Sequence, residues 1–298
     1  MSGKLFASAI VAAVFAAPLA VNAQTLPKAP VTGFLAACQG RSGWTDAAPP
    51  AQLFGNTYNV GTCGITSLLV VSTDGLVLID SGPPEAAPLV LDNIRKLGFD
   101  IREVKWILMS HEHADHVGGV AEIQRATGAQ VAALETAKAA LETGLGDPAD
   151  PQRNSAPHFQ GFHVDRVLQD GDRVTLGDVV LTAHSTPVHS PGSTSWTWRS
   201  CDGAACLAMA YADSASTISA KGYRFSDHPD YVAHVRSGIG AIAALDCDIL
   251  ITPHPEQSDL HQRLADKTLV GHGACVAYAK DAQEAFDERL AEEAEKKS

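Results

Sequence analysis

The chain has 298 residues, 45% of them apolar, six cysteines and a formal net charge of −12 at pH 7. That acidity disfavours nucleic acid or an anionic membrane surface as a partner, while the apolar content suffices for a sizeable core. After the N-terminal stretch, no segment reaches the ~18 apolar residues that a membrane-spanning helix needs.

Residues 1–23 read as a secretory signal peptide. Lys4 supplies the positive start, Leu5 to Leu19 is apolar except for Ser8, and Val21-Asn22-Ala23 is a small-x-small cleavage signal before Gln24. The mature chain is then 24–298, exported, with a net charge of −13 once Lys4 is lost. Gln24 to Ala51, rich in Pro, Gly and Ala, is expected to be an extended arm. Ile65–Ser72, Thr73-Asp74-Gly75 and Leu76–Asp80 predict strand, turn, strand. Ser81-Gly82-Pro83-Pro84 breaks the chain, and Glu85–Leu97 has helical spacing.

Val104–Met109 reads as a buried strand, followed by a dense polar cluster and a helix over Val117–Thr127. A strand over Gln130–Leu134 and a helix over Glu135–Thr143 come next, then a long loop from Gly144 to Phe162. Strand character resumes at Arg166–Leu168 and Arg173–Ala183, on either side of Gln169-Asp170-Gly171-Asp172. Ser195–Arg199 and Leu207–Tyr211 flank Cys201-Asp-Gly-Ala-Ala-Cys206, whose Asp-Gly predicts a hairpin with a disulfide across it. Pro229–Leu245 predicts a helix, Cys247–Ile251 a strand, Glu256–Ala265 a helix, and the charged segment from Tyr278 a surface helix. Strands and helices recur in two similar successions with no linker between them, which favours one four-layer α/β domain.

All six cysteines lie in the mature chain, and an even number in an exported protein favours disulfides. Fifteen pairings are open for six cysteines, and their spacing is not that of a zinc ribbon.

The most informative segment is His111-Glu112-His113-Ala114-Asp115-His116, four potential metal ligands in six residues. It follows a strand, where α/β folds usually keep their chemistry. His111 and His113 alternate on an extended segment and so point the same way. The metalloprotease pattern His-Glu-x-x-His fails because position 115 is Asp. Two further histidines, His189 in Thr186-Pro-Val-His-Ser-Pro-Gly-Ser193 and His254 in Thr252-Pro-His-Pro255, also follow strand-like runs and are held between prolines. The remaining histidines lack such support and are read as structural. Asp80, at a strand end, is a candidate to brace the metal loop.

Taken together, His-x-His-x-Asp-His, the later His before Pro-Gly-Ser, Tyr211-Ala-Asp-Ser214 and Thr-Pro-His-Pro resemble the metallo-β-lactamase superfamily, most closely the third subclass of class B β-lactamases. The resemblance runs from about Thr57 to the C-terminus. It implies an αββα sandwich of two mixed sheets flanked by helices, with two Zn2+ ions at one edge. His111, His113 and His189 would hold the first ion, and Asp115, His116 and His254 the second. Ser214 and Ser216 would take the substrate carboxylate, whereas Lys221, beside Gly222, is read as part of a solvent-facing turn. The remaining cysteines would pair as Cys38–Cys63 and Cys247–Cys275.

The activity so implied is hydrolysis of the β-lactam amide of penicillins, cephalosporins and carbapenems by a metal-activated hydroxide that Asp115 orients. No Ser-x-x-Lys nucleophile motif is present. Such an enzyme would be a periplasmic monomer acting on a small molecule. One alternative is a thioester or lactone hydrolase of the same superfamily, because Ala212-Asp213-Ser214 resembles the Gly-Asp-Thr of those enzymes, whose Asp bridges both metals. Another is a periplasmic zinc-binding protein without catalysis, which an open ligand set with no extra thiolate argues against.

Overall fold

The computed structural model describes residues 26–295. The expected signal peptide and the last residues of the expected C-terminal helix lie outside them.

Alternation along the strands explains the layering. The first sheet takes its strands in chain order: β1 (Ala51–Phe54), β2 (Thr57–Asn59), β3 (Leu68–Ser72), β4 (Gly75–Ile79), β5 (Val104–Leu108), β6 (Gln130–Leu134) and β7 (Arg166–Leu168). The second follows with β8 (Arg173–Leu176), β9 (Val179–Ser185), β10 (Thr194–Asp202), β11 (Ala205–Tyr211) and β12 (Ile249–Ile251), in spatial order β12-β11-β10-β9-β8. Both sheets are mixed. Pairing in the first turns from antiparallel to parallel at β4, and in the second only β11 with β12 is parallel.

Leu68 and Val70 of β3, and Val77 and Ile79 of β4, face the second sheet, where they meet Trp196, Met209 and Tyr211. Their neighbours Leu69, Val71, Leu76 and Leu78 point the other way. Strands covered on both faces are apolar throughout rather than alternating. The outward face of the first sheet is closed by α2 (Ala87–Lys96), α4 (Val120–Thr127) and α5 (Glu135–Thr143), through Val90, Ile94, Ile123 and Leu141. On the second sheet, Ala210 and Leu250 face α6 (Pro229–Ala243) and α8 (Ala274–Glu295), through Val235, Ile239 and Phe286. The result is helix, sheet, sheet, helix, as the resemblance implied.

Several boundaries differ from expectation. The N-terminal arm is not extended throughout: Val31–Cys38 forms helix α1, with Phe34 and Cys38 buried one turn apart and Phe34 edge-on to His261 at 5.1 Å. The helix expected over Val117–Thr127 is two, α3 (Ala114–Val117) and α4, separated at Gly118-Gly119. The strand expected over Arg173–Ala183 turns at Gly177-Asp178 to give β8 and β9. Asp259, at φ 50°, separates a 3-10 turn (Pro255–Ser258) from α7 (Leu260–Ala265) where one helix was expected. Helix α8 starts at Ala274 and is not purely a surface element, for it buries Cys275, Ala279, Phe286 and Glu293. All three expected disulfides form: Cys38–Cys63, Cys201–Cys206 and Cys247–Cys275.

The site forms where β4, β5, β9, β11 and β12 all end on one edge of the sandwich. There the sheets are stitched together by Trp196 Nε1 donating to Met109 O (2.9 Å), Thr194 N to Ser110 O (2.6 Å) and Thr66 N to Pro253 O (2.8 Å).

Candidate metal centre

Five imidazoles from three loops converge at this edge. His111 lies 4.2 Å from His116, 4.8 Å from His113 and 4.7 Å from His189 between ring centroids, and His116 lies 4.8 Å from His254. With Asp115 Oδ2 3.2 Å from His116 Nε2, all six expected ligands are brought together.

The first triad is His111, His113 and His189, all buried, with one ligand atom from each lying within 4.8 Å of the others. Each ring has one nitrogen held from outside. His111 Nδ1 meets Asp213 Oδ1 at 2.8 Å, His113 Nε2 meets Asp150 Oδ2 at 2.7 Å, and His189 Nδ1 meets the Ser216 carbonyl at 2.9 Å. With the proton on that outer nitrogen, the other nitrogen of each ring presents a lone pair to the cluster. His111 Nε2 is buried and has no hydrogen-bond partner among the described residues. A buried nitrogen left unpaired costs free energy unless a ligand takes it, so this donor set fits a cation.

The second group is tighter still. His116 Nε2, His254 Nε2 and Asp115 Oδ2 are mutually 3.1, 3.2 and 3.3 Å apart. Donors spaced by about 3.3 Å are what a tetrahedral ion with ~2.0 Å bonds requires. Asp115 also joins His111 and His116 in a second candidate metal group, so the two clusters adjoin.

Electrostatics favours the ligating forms at two positions. Burial, with the neighbouring rings adding to it, holds His111 well below the ordinary histidine range and His189 down at about 3, so both are neutral imidazoles. Burial also opposes charge on His116, but the Asp115 carboxylate beside it wins and lifts it to about 10. A metal ion replaces that proton when it binds.

Asp80 braces the loop as expected. Its Oδ1 accepts from Ser110 N at 2.7 Å and its Oδ2 from Ser110 Oγ at 2.6 Å, with the Tyr211 hydroxyl at 2.8 Å and His116 Nδ1 at 3.3 Å. Asp80 adopts φ 62°, a left-handed conformation that Asp tolerates better than most residues. Of the expected substrate serines, Ser216 Oγ lies 3.0 Å from His189 Nδ1, and Ser214 Oγ is buried with no hydrogen-bond partner among the described residues.

Three participants went unnoticed in the sequence, and a fourth, Glu112, was weighed there only in a metalloprotease pattern. Asp150 and Gln152 reach in from the 144–162 segment, Gln152 Nε2 lying 3.0 Å from His189 Nε2. Glu112, buried between two ligands, accepts from the turn carrying His189. Trp44, half-exposed, tilts against His254 with ring centroids 5.8 Å apart. No local pattern announces Asp150 or Trp44. Glu112 had a usable signal, a charged residue inside a buried cluster.

A family model for the metallo-beta-lactamase superfamily matches residues 60–205. The metallo-β-lactamase MIM-1 from Novosphingobium pentaromativorans superposes with a TM-score of 0.88 at 57% identity, covering 90% of this chain and 100% of that one. The chain belongs to the metallo-β-lactamase superfamily. BJP-1 of Bradyrhizobium japonicum, a subclass B3 metallo-β-lactamase, superposes at 0.78 and 36% identity, covering 86% of this chain and 98% of its own. Among curated relatives, the hydroxyacylglutathione hydrolase of Anaeromyxobacter dehalogenans is 33% identical over 139 residues, 47% of this chain and 44% of that protein. The chain thus spans under half the length of that relative. As a member of this superfamily the protein is a hydrolase, and among its described residues no helix is long and apolar enough to cross a membrane.

Proposed function

We propose that this chain hydrolyses the amide bond of β-lactam antibiotics with two zinc ions, one held by His111, His113 and His189 and the other by Asp115, His116 and His254. The observation that carries the reading is the 57%-identical match over the whole of the MIM-1 chain. That match spans the whole of the MIM-1 chain, whereas the hydroxyacylglutathione hydrolase of Anaeromyxobacter dehalogenans is matched over 44% of its own length.

When bound, the zinc ions supply a Lewis acid and bring the pKa of a water molecule from 15.7 toward about 7. The protein's own part is orientation. Asp213, Asp150 and the Ser216 carbonyl fix three imidazole tautomers, and Asp80 fixes the loop. Asp115 orients the attacking solvent molecule, and Ser214 and Ser216 take the substrate carboxylate.

The thioester and lactone reading rests on the curated relatives and on Ala212-Asp213-Ser214. It requires Asp213 to lie between the metals. Asp213 Oδ1 instead sits against the outer nitrogen of His111, and Asp213 belongs to neither candidate metal group among the described residues. This favours the lactamase reading.

Residues 1–23 are proposed to direct export to the periplasm, leaving a single catalytic domain over 24–298 that acts as a monomer. Three disulfides suit an oxidising compartment. The test is turnover of a chromogenic cephalosporin by the zinc-loaded protein, before and after chelation, alongside a thioester and a homoserine lactone. Chelator-sensitive lactam turnover supports the proposal. Strong thioester or lactone turnover with none on the lactam would replace it with the alternative, and no turnover of any of them would favour a non-catalytic zinc-binding protein.

A further inference from the structure

The 144–162 segment is a closed loop whose inward anchors are few. Its ends are fastened to each other and to α5, by Phe159 N donating to Gly144 O (3.2 Å) and Phe162 N to Leu141 O (3.1 Å). Gly144 is needed at this closure, because a Cβ there would lie 2.0 Å from Phe159 O. Between the ends, over residues 145–160, only Asp150 and Pro151 are buried.

The Asp150 side chain is fully buried, and among the described residues no Lys or Arg pairs with it. One oxygen closes its own turn by accepting from Gln152 N at 2.7 Å, and the other meets His113 Nε2 at 2.7 Å. Pro151 O accepts from Ala220 N at 2.9 Å. A large exposed loop is thus seated on the outer nitrogen of one candidate metal ligand. Burying a carboxylate is costly unless it is paired, and the His113 ring is the one side-chain partner Asp150 has among the described residues. The Asp150 contact is one of three that seat the loop, beside Pro151 O with Ala220 N and Gln152 Nε2 at 3.0 Å from His189 Nε2, and it is the one that depends on the orientation of the His113 ring.

We propose that Asp150 is a positioning residue for the first metal ion, and that through it metal binding at His113 and ordering of the 144–162 segment are coupled. A bound ion fixes the His113 ring from one side and Asp150 fixes it from the other, so each favours the other's binding state. Such coupling is reciprocal: what metal does for the loop, the loop does for the metal. The inference rests on the metal-centre part of the proposed function and is independent of the substrate.

The test uses Asp150→Asn, which keeps the shape and an acceptor for Gln152 N but loses the charge facing His113. Zinc affinity is read by competition with a chromophoric chelator. The first site should weaken about 10- to 100-fold, the usual effect of removing an outer partner of a ligating histidine, with the second site little changed. Hydrogen exchange in the unsubstituted protein is the second measurement, and it decides the matter even if the variant folds poorly. Amides in 145–160 should become more protected on adding zinc, and in a folded Asp150→Asn variant this gain should shrink. Unchanged first-site affinity in the variant, or equal exchange of the loop with and without zinc, overturns the proposal. Coupling without lactam turnover would leave this inference standing while the substrate assignment falls.

Discussion

Glu112 accepts a hydrogen bond from the Gly192 amide at 2.9 Å, and its other oxygen accepts from Ser190 Oγ at 2.7 Å. A residue lodged between two ligands of the first cluster thereby clamps the turn that carries the third. Gly192 fits the contact because it lacks a side chain: a Cβ there would lie 2.5 Å from Glu112 Oε2 and 2.6 Å from Ala137 Cβ. Glu112→Ala should strand the buried Gly192 amide and leave Ser190 Oγ only its 3.2 Å contact with Ser193 Oγ, at about 1–3 kcal/mol for a buried donor left unpaired. Denaturant unfolding of the metal-free protein measures this; a loss under about 0.5 kcal/mol, the scale of an inert surface substitution, would remove the clamp.

Tyr211 links the second sheet to the metal loop of the first. Its hydroxyl lies 2.8 Å from Asp80 Oδ2 and 2.8 Å from the Thr66 carbonyl, all within a buried region. Tyr211→Phe retains the ring in the core but removes a hydrogen bond to a carboxylate, a loss of about 1.5–3 kcal/mol. The same unfolding experiment checks it. The six ligands do not contact this hydroxyl, so zinc stoichiometry by elemental analysis should not change.

How far the sequence reached depends on whether an interaction is local. The strand Gln130–Leu134 and helix Glu135–Thr143 end where expected, since apolar periodicity changes there from continuous to helical. The ligand cluster was equally legible, because four donors in six residues are a local signal. Helix α1 was not: Gly33, the prolines around it and its short length argue against a helix, and tertiary burial of Phe34 together with the Cys38–Cys63 bond overrides that propensity. The carboxylates that set the imidazole tautomers were also hidden. Asp150 and His113 are 37 residues apart, and Asp213 and His111 are 102 apart. Asp213 was visible only as a possible ligand, and its actual contact is with the far side of a ligand ring.

The three disulfides should differ in their effect on stability. Cys201–Cys206 spans five residues at an exposed hairpin, whereas Cys38–Cys63 spans 25 and ties α1 to the first sheet. By chain entropy alone the longer closure contributes about 3.5 kcal/mol and the shorter about 2 kcal/mol. Paired Cys→Ser replacement at each bridge, followed by urea unfolding, should show that order. Intact mass before and after reduction should reveal six thiols; fewer would contradict the pairing.

Asp115 is the residue on which metal binding and chemistry meet. Burial raises the cost of its charge, but His116 and His254 at 3.2 and 3.3 Å more than offset this, and the carboxyl is held far below its ordinary range. Asp115→Asn preserves volume while removing the charge that draws the second cation and orients the nucleophile. The variant should still fold, but metal-free it should unfold at a lower urea concentration than the parent, because the buried His116 and His254 rings lose the carboxylate that pairs with them. Its zinc content should fall toward one ion per chain, because the first triad does not include Asp115. Lactam turnover at saturating zinc should drop by at least about 100-fold, the lower end of what a positioned acid–base group supplies. Retention of near-parental kcat would assign the orientation of solvent to another group, while loss of both ions together would show that the two triads bind as one unit.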